Sequence, residues 1–460
     1  MSGATTFRVS WPEWLAWAAL AFQAFFAMTH FSDGLRQEYG GIAALLILVA
    51  AGGKRWRALA AHPLPWLVLA FIVYSVLQAA YAARLTPALS FAKHLSYNTE
   101  PVRVGVLACA IGAWLAGRPR RIPLLLGLMV AGFVLAGLVC APWTRIDAVV
   151  TGALALRFRY AENLVGEYAA TGLLLLSLYA LSRQWRDRAA ITTAVSLILT
   201  GVLLAAFLLY AQSRAAWLAA VLVPLAAVAC LRDVQRQWRR PAAIVLGAAV
   251  LTVAAALVVG YAFVAHRLAG GQTIVGALVH GDAAALPPSS VTVRMQLTLL
   301  GWHAWQVHPL LGIGLHGIQP MIVASGIHIG DYVPPHLHNA YLQTAVGLGG
   351  IGAALLLATL GVLVRELWLA HREGAVGSAL YWALLGSLGI VLVVNVTDCL
   401  LWRVAYMRAP LELLLGCCFA VSLHRRRTGR ETARQEQVPA PSCAAQASLH
   451  APGMQRILGA

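Results

Sequence analysis

Charge is scarce in this chain. Asp, Glu, Lys and Arg make up 11% of 460 residues against 60% apolar residues, and the mean hydropathy is +0.74. A water-soluble core needs no such excess, so an ordinary soluble enzyme is excluded. Acidic residues are the rarer sign, 17 against 34 basic. No Asp-x-Asp or Glu-x-Asp pair occurs anywhere, which disfavours a magnesium-dependent sugar transferase, because metal-bound pyrophosphate calls for paired carboxylates. The seven cysteines form no C-x-x-C pair, and Cys109, Cys140, Cys230, Cys417 and Cys418 lie in or beside apolar runs. They indicate neither a disulfide framework nor a zinc knuckle. No small-x-small cleavage site follows the first apolar run, which therefore reads as an uncleaved span. Short-period repeats and matched, interrupted helices are absent too, which counts against an inverted-repeat transporter.

What the chain has instead is a series of apolar runs, about twelve by the length criterion for a membrane-crossing helix. They fall near 14–30, 40–53, 64–83, 102–117, 123–143, 164–182, 189–210, 214–231, 241–265, 341–364, 378–397 and 400–423. The fold class is an all-α polytopic membrane protein with one large outward loop that carries short amphipathic helices. Basic clusters at Lys54 to Arg57, Arg118 to Arg121, Arg183 to Arg188, Arg232 to Arg240, Arg365 to Arg372 and Arg425 to Arg427 occupy alternate loops or the tail. Lys and Arg in short loops are retained on the cytoplasmic side, so both termini are expected there.

The formal charge of +17 and pI near 10.2 are explained by this topology and by anionic lipid headgroups. No soluble stretch is long enough for a nucleic-acid domain. The organisation reads as membrane helices over 1–265, a large loop over 266–340, further membrane helices over 341–423 and a tail over 424–460. By composition the tail is disordered.

The long loop contains Val291 to Trp305, where Met295, Leu299, Trp302 and Trp305 approximate the stripe of an amphipathic helix lying at the interface. His308-Pro309-Leu310-Leu311-Gly312-Ile313-Gly314 follows as a turn, and the loop ends in Pro334-Pro335-His336-Leu337-His338-Asn339. Arginines on this face oppose the positive-inside tendency. The ordinary reading of any one of them is snorkelling to lipid phosphate or pairing with a nearby acid. The functional reading is that two or three converge on an anion, to which a guanidinium makes bidentate bonds. Arg214 is the foremost candidate, since it lies between two spans joined by almost no loop.

His336 and His338 at i and i+2 raise a metal site, but helical His-Glu-x-x-His spacing is missing and no metal is expected. The alternative is a metal-free site, with neutral imidazole removing a proton and arginines holding a leaving anion. Imidazole suits that role because its reference value near 6.5 leaves much of it neutral at pH 7. No cofactor is implied.

The run from Arg294 through the Pro309 to Gly314 turn, then His338-Asn339-Ala340-Tyr341-Leu342-Gln343 and Gly347-Leu348-Gly349-Gly350, resembles the O-antigen ligase and polymerase superfamily. The likeness lies in the order of these elements over the last third of the chain. It implies a bacterial inner-membrane glycosyltransferase with a periplasmic site. The ligase reading has it move a polysaccharide from an undecaprenyl pyrophosphate donor to a lipid A-core acceptor in lipopolysaccharide biosynthesis, and the His-x-His-Asn form favours that reading. Other branches polymerise lipid-linked repeats or glycosylate protein hydroxyls; a lipid-linked glycan transporter is the rival from another class. By resemblance His338 is the general base and Arg214 and Arg294 bind the pyrophosphate. His336, Asn339, Arg159, Asp398 and Arg403 are further candidates for binding or for orienting the site.

Overall fold

The computed structural model describes residues 11–29, 38–51, 59–158, 162–182, 189–230, 290–328, 331–402 and 407–436. Its principal helices are α1 (Trp11–Phe26), α2 (Tyr39–Ala51), α3 (Pro63–Leu85), α4 (Phe91–Leu115), α5 (Ile122–Cys140), α6 (Glu162–Ser182), α7 (Ala189–Tyr210), α8 (Arg214–Cys230), α9 (Ser290–Val307), α10 (Ile318–Ser325), α11 (Ala340–Arg372), α12 (Ser378–Val394) and α13 (Arg408–Glu436). The described residues are all-helical, without a β-sheet. Among the described residues, five helical stretches are long and apolar enough to cross a membrane, namely 63–85, 119–140, 162–182, 191–210 and 340–372. Parts of α2, α8 and α12 are apolar but shorter. This is a membrane protein.

The expected spans meet helices at every position except 241–265, which lies outside the described residues. The α11 helix runs on to Arg372, past the expected end near 364, and three other boundaries differ for a physical reason. The α4 helix begins at Phe91 rather than 102, capped by the Ser90 hydroxyl. Its early turns carry Lys93, His94 and Asn98, which dilute the apolar signal, yet His94 and Asn98 are fully buried because they pair with Thr86 and Gln78. The α13 helix begins at Arg408 rather than 400. Residues Leu400–Trp402 instead form a 3-10 turn, with Asn395 Oδ1 accepting from Leu401 N at 2.9 Å. The same helix runs through Arg425–Arg427 to Glu436, which corrects the expected disorder from 424 onward; the remaining tail residues, 437–460, lie outside the described residues. Arg425 and Arg426 each bond the buried Glu366 carboxylate at 2.7 Å, and that clamp orders this end of the helix.

Two cores organise the bundle. The larger joins α1, α2, α4 to α8, α12 and α13 with the C-terminal half of α11. The smaller joins Phe71 and Tyr74 of α3, Val293 and Leu297 of α9, the segment around Ile318, and Leu337, Val346 and Leu348. Small residues let backbones approach in the larger core, as is usual where lipid supplies no hydrophobic drive between helices. A Cβ at Gly112 of α4 would lie 2.5 Å from the Phe419 ring of α13, and one at Gly416 would lie 2.7 Å from Ile111.

The α9 helix forms where periodicity places one, and it packs inward by Val293 and Leu297. Leu297 is fully buried and Val293 nearly so, whereas Leu299 and Trp302 of the expected stripe are 58% and 48% exposed. Leu299 and Trp302 thus mark the outward side, which suits contact with lipid, while Trp305 packs against the smaller core.

At the opposite end, His62 caps α3. Its Nδ1 accepts from Leu64 N at 3.1 Å, and its Nε2 donates at 2.7 Å to Ser422, whose hydroxyl donates to Glu366. The bond accepted by Nδ1 requires neutral imidazole. Burial and the nearby Arg426 charge push His62 down from 6.5 to about 4. The unfolded chain therefore binds this proton first, and stability should fall as pH drops from 6.5 toward 4. The loss is on the order of 3 kcal/mol. Thermal denaturation in detergent at pH 7 and pH 5 checks this, with His62→Gln expected to flatten the dependence.

Candidate functional site

The segment Pro309–Gly314 and the start of α11 are fitted into each other. Helix α11 is broken at Gly349, whose φ of 65° and ψ of −177° are open essentially to glycine alone. The break frees backbone groups that must be satisfied locally. Gly350 N and Ile351 N donate to Pro309 O and Leu310 O at 2.7 and 3.2 Å, while Ile313 N and Gly314 N donate to Val346 O and Gly347 O at 2.8 and 2.9 Å. Gln78 Nε2 donates to Gly347 O and Leu311 O at 3.0 and 3.1 Å, and the Tyr74 hydroxyl donates to Leu348 O. Gly312 has φ 68°, and a Cβ there would lie 2.5 Å from Val346 O. The sequence turn is thus a splice that holds residues 340–348 of α11 as a separate short helix.

Two costs would fall on Gly349→Ala, an unfavourable φ and a collision with the Leu310 backbone. We expect a loss of about 2 kcal/mol or more, read as a lowered Tm together with lost activity.

That short helix presents its N-terminus to the candidate base. Asn339 caps it, Oδ1 accepting from Tyr341 N and Leu342 N at 3.0 and 2.9 Å. Just before the cap, His338 takes a left-handed φ of 51°, uncommon for a non-glycine residue. Gln343 Oε1 accepts from Leu337 N at 3.0 Å and fixes the approach. His336 accepts from His338 N at 3.3 Å, and the two rings lie 4.2 Å apart.

The carboxylate of Asp398 faces this pair. His338 Nδ1 lies 3.5 Å from Asp398 Oδ1, an ion-pair distance rather than a tight hydrogen bond. Oδ1 also accepts from Cys399 N at 2.7 Å, and Oδ2 accepts from the Asn163 amide of α6. Asp398 is 2% exposed, and burial alone would raise its pKa. The interaction with His338, the charges of His336 and His338, and the Cys399 N–H outweigh burial and hold it below the usual carboxylate range. An ionised Asp398 favours a proton on Nδ1 and leaves Nε2 with the lone pair a base requires. The His338 side chain is 19% exposed, enough for a substrate to reach it.

The arginines approach on separate helices. Arg214 opens α8 and is exposed. Beside it, Ser213 and Ala216 pack against Gly166 of α6, one turn from Asn163, so Arg214 stands at the same end of α6 as the Asn163–Asp398 pair. Arg294 lies on α9, half-buried, on the same stripe as Leu297 and Gly301. A Cβ at Gly301 would meet Leu342 at 2.8 Å and Leu337 at 2.9 Å, which ties this helix to the histidine segment. Among the described residues the Arg294 guanidinium has no partner.

Of the sequence candidates, the structure brings together His338, His336 and Asp398, makes Asn339 the helix cap, and sets Arg214 and Arg294 on elements packed beside them. Arg159 and Arg403 lie outside the described residues. Sequence reasoning missed Asn163, Gln343, Tyr74 and Gln78. Their signal was polarity within apolar runs, strongest for Asn163 and Glu167 four apart on α6. Glu167 is buried below Asp398 in a small cavity shared with Thr171 and Ser387.

Within an apolar helical bundle, a half-helix N-terminus thus meets a histidine–carboxylate pair, with two arginines on neighbouring helices. Residues 199–357 match the family model described as O-Antigen ligase, a similarity over that stretch of the 460 residues that supports membership of the O-antigen ligase superfamily. The match includes Arg214, Arg294, His336 and His338 but not Asn163 or Asp398. No curated protein matches the chain.

Proposed function

We propose that this protein is an O-antigen ligase of the bacterial inner membrane, with about twelve membrane spans by the length criterion. Both termini are cytoplasmic, and the His338 site opens to the periplasm at the end of a large loop over 266–340. The donor is glycan on undecaprenyl pyrophosphate and the acceptor is a hydroxyl of the lipid A-core oligosaccharide. The observation that carries the reading is the seating of His338 against Asp398 at the mouth of a broken helix.

In the reaction His338 Nε2 takes the proton of the acceptor hydroxyl as its oxygen attacks the anomeric carbon of the donor sugar. The bond from that carbon to pyrophosphate breaks, and its electrons leave with undecaprenyl pyrophosphate. Asp398 steadies the imidazolium that forms. Arg214 and Arg294 hold the departing anion, supplying the charge stabilisation that a metal gives in other transferases. Single displacement inverts the anomeric configuration, and neither cofactor nor metal enters.

A strain lacking this chain should accumulate lipid-linked O-antigen and make lipid A-core without polymer. The wild-type chain should restore the polymer, and His338→Ala should not. Restored lipid A-core glycosylation by His338→Ala would overturn the assignment. Loss of chain elongation on the lipid carrier, rather than of transfer to lipid A-core, would redirect it to a polymerase.

A further inference from the structure

We infer that His336, His338 and Asp398 form a binding site for a divalent transition metal, zinc foremost, and that occupancy switches the transfer site off. The inhibitory half of this inference rests on the function proposed above; the binding half does not. One ligand atom from each of the three residues falls within 4.8 Å of the others. Two ligands bound tetrahedrally to one zinc stand roughly 3.3 Å apart, given zinc–nitrogen and zinc–oxygen bonds near 2.0 to 2.1 Å. His338 Nδ1 and Asp398 Oδ1 are 3.5 Å apart, too far for a good hydrogen bond and close to the spacing of such a pair. His336 completes the set through one of its ring nitrogens, the Nδ1 atom holding only a long 3.3 Å bond from His338 N.

The donor set selects the class of metal. Two imidazoles and one carboxylate suit zinc, cobalt or copper, whereas magnesium and calcium take oxygen. Outer support is in place as well, because Cys399 N and the Asn163 amide hold the Asp398 oxygens in position. Such contacts are what orient a ligating carboxylate. Three protein ligands leave room for water or an added ion to complete the shell.

Capture by metal is incompatible with the role of His338 as base. A metal on Nδ1 leaves the neutral ring its proton on Nε2, so the lone pair that would accept the hydroxyl proton is gone. The metal also takes the Asp398 oxygen that would steady the imidazolium.

The test uses full-length, tag-free protein in detergent. Cobalt is titrated by its visible ligand-field absorption, and zinc by competition against cobalt. One high-affinity site per chain is expected, weakened about 100-fold or more in His336→Ala and in Asp398→Ala, since even outer-shell changes cost 10- to 100-fold. X-ray absorption of the zinc adduct of the unaltered protein should show two imidazoles and carries the test if the variants fail to fold. Zinc should stop transfer and excess EDTA should restore it. Absent binding, binding unchanged by both substitutions, or an adduct without imidazole would overturn the site. Transfer that requires zinc would overturn its inhibitory character. If the unaltered protein shows no transfer with any donor, the proposed function fails while the cobalt and zinc readings still decide the site.

Discussion

Replacing His338 by alanine should lower transfer about 10³-fold or more while leaving the helical bundle folded, since a positioned general base contributes on the order of 10² to 10⁴. Removing the side chain opens no hole in either core, because His338 sits at the surface of the site and its ring is partly exposed. His338→Gly sharpens the test. Glycine tolerates the left-handed backbone at this position, so that variant should match or exceed the unaltered protein in stability by about 1 kcal/mol. It should still be inactive. Denaturation and transfer are measured on the same preparations, and retained transfer in either variant removes His338 as the base. Asp398→Asn separates proton transfer from substrate binding. It should depress kcat with little change in KM, because Asp398 meets the imidazole and not the substrate.

The second large effect is expected at the arginines. Each of Arg214→Ala and Arg294→Ala should reduce transfer by about 10² to 10³, the usual cost of losing one preorganised partner of a developing anion. Lysine at either position keeps the charge but not the planar fork, so partial activity is expected. Arg425→Ala is the informative contrast. It breaks the clamp on Glu366 at the other end of α11, so its effect should appear in Tm before transfer. Equal losses of transfer and stability in all three variants would show that Arg214 and Arg294 are only structural.

Much of this architecture was legible in the sequence because membrane helices advertise themselves by length and composition. The spans at 189–210, 164–182 and 123–143 match α7, α6 and α5 to within a few residues. Legibility failed where polar side chains are satisfied inside the bundle. The start of α4 was hidden by His94 and Asn98, which dilute the apolar signal.

The site was partly readable for the same reasons. His338 and the two arginines stand out as polar residues where a chain would avoid them. Asp398 was a secondary candidate because nothing local links it to a residue sixty positions earlier. That link is made by tertiary structure, with Ala340 N lying 3.0 Å from both Asn395 O and Asp398 O. The Pro309–Gly314 turn was visible as a turn, but its task of filling the break at Gly349 depends on Tyr74 and Gln78 of α3, whose sequence positions reveal nothing of it.

The central claim is tested most directly by incubating purified protein in detergent with undecaprenyl-pyrophosphate-linked glycan and lipid A-core in the presence of EDTA. Glycan should appear on lipid A-core, joined with inverted anomeric configuration, with one undecaprenyl pyrophosphate released per transfer. Folded, unaltered protein that forms no such product, or that only lengthens the glycan on its lipid carrier, would contradict the ligase.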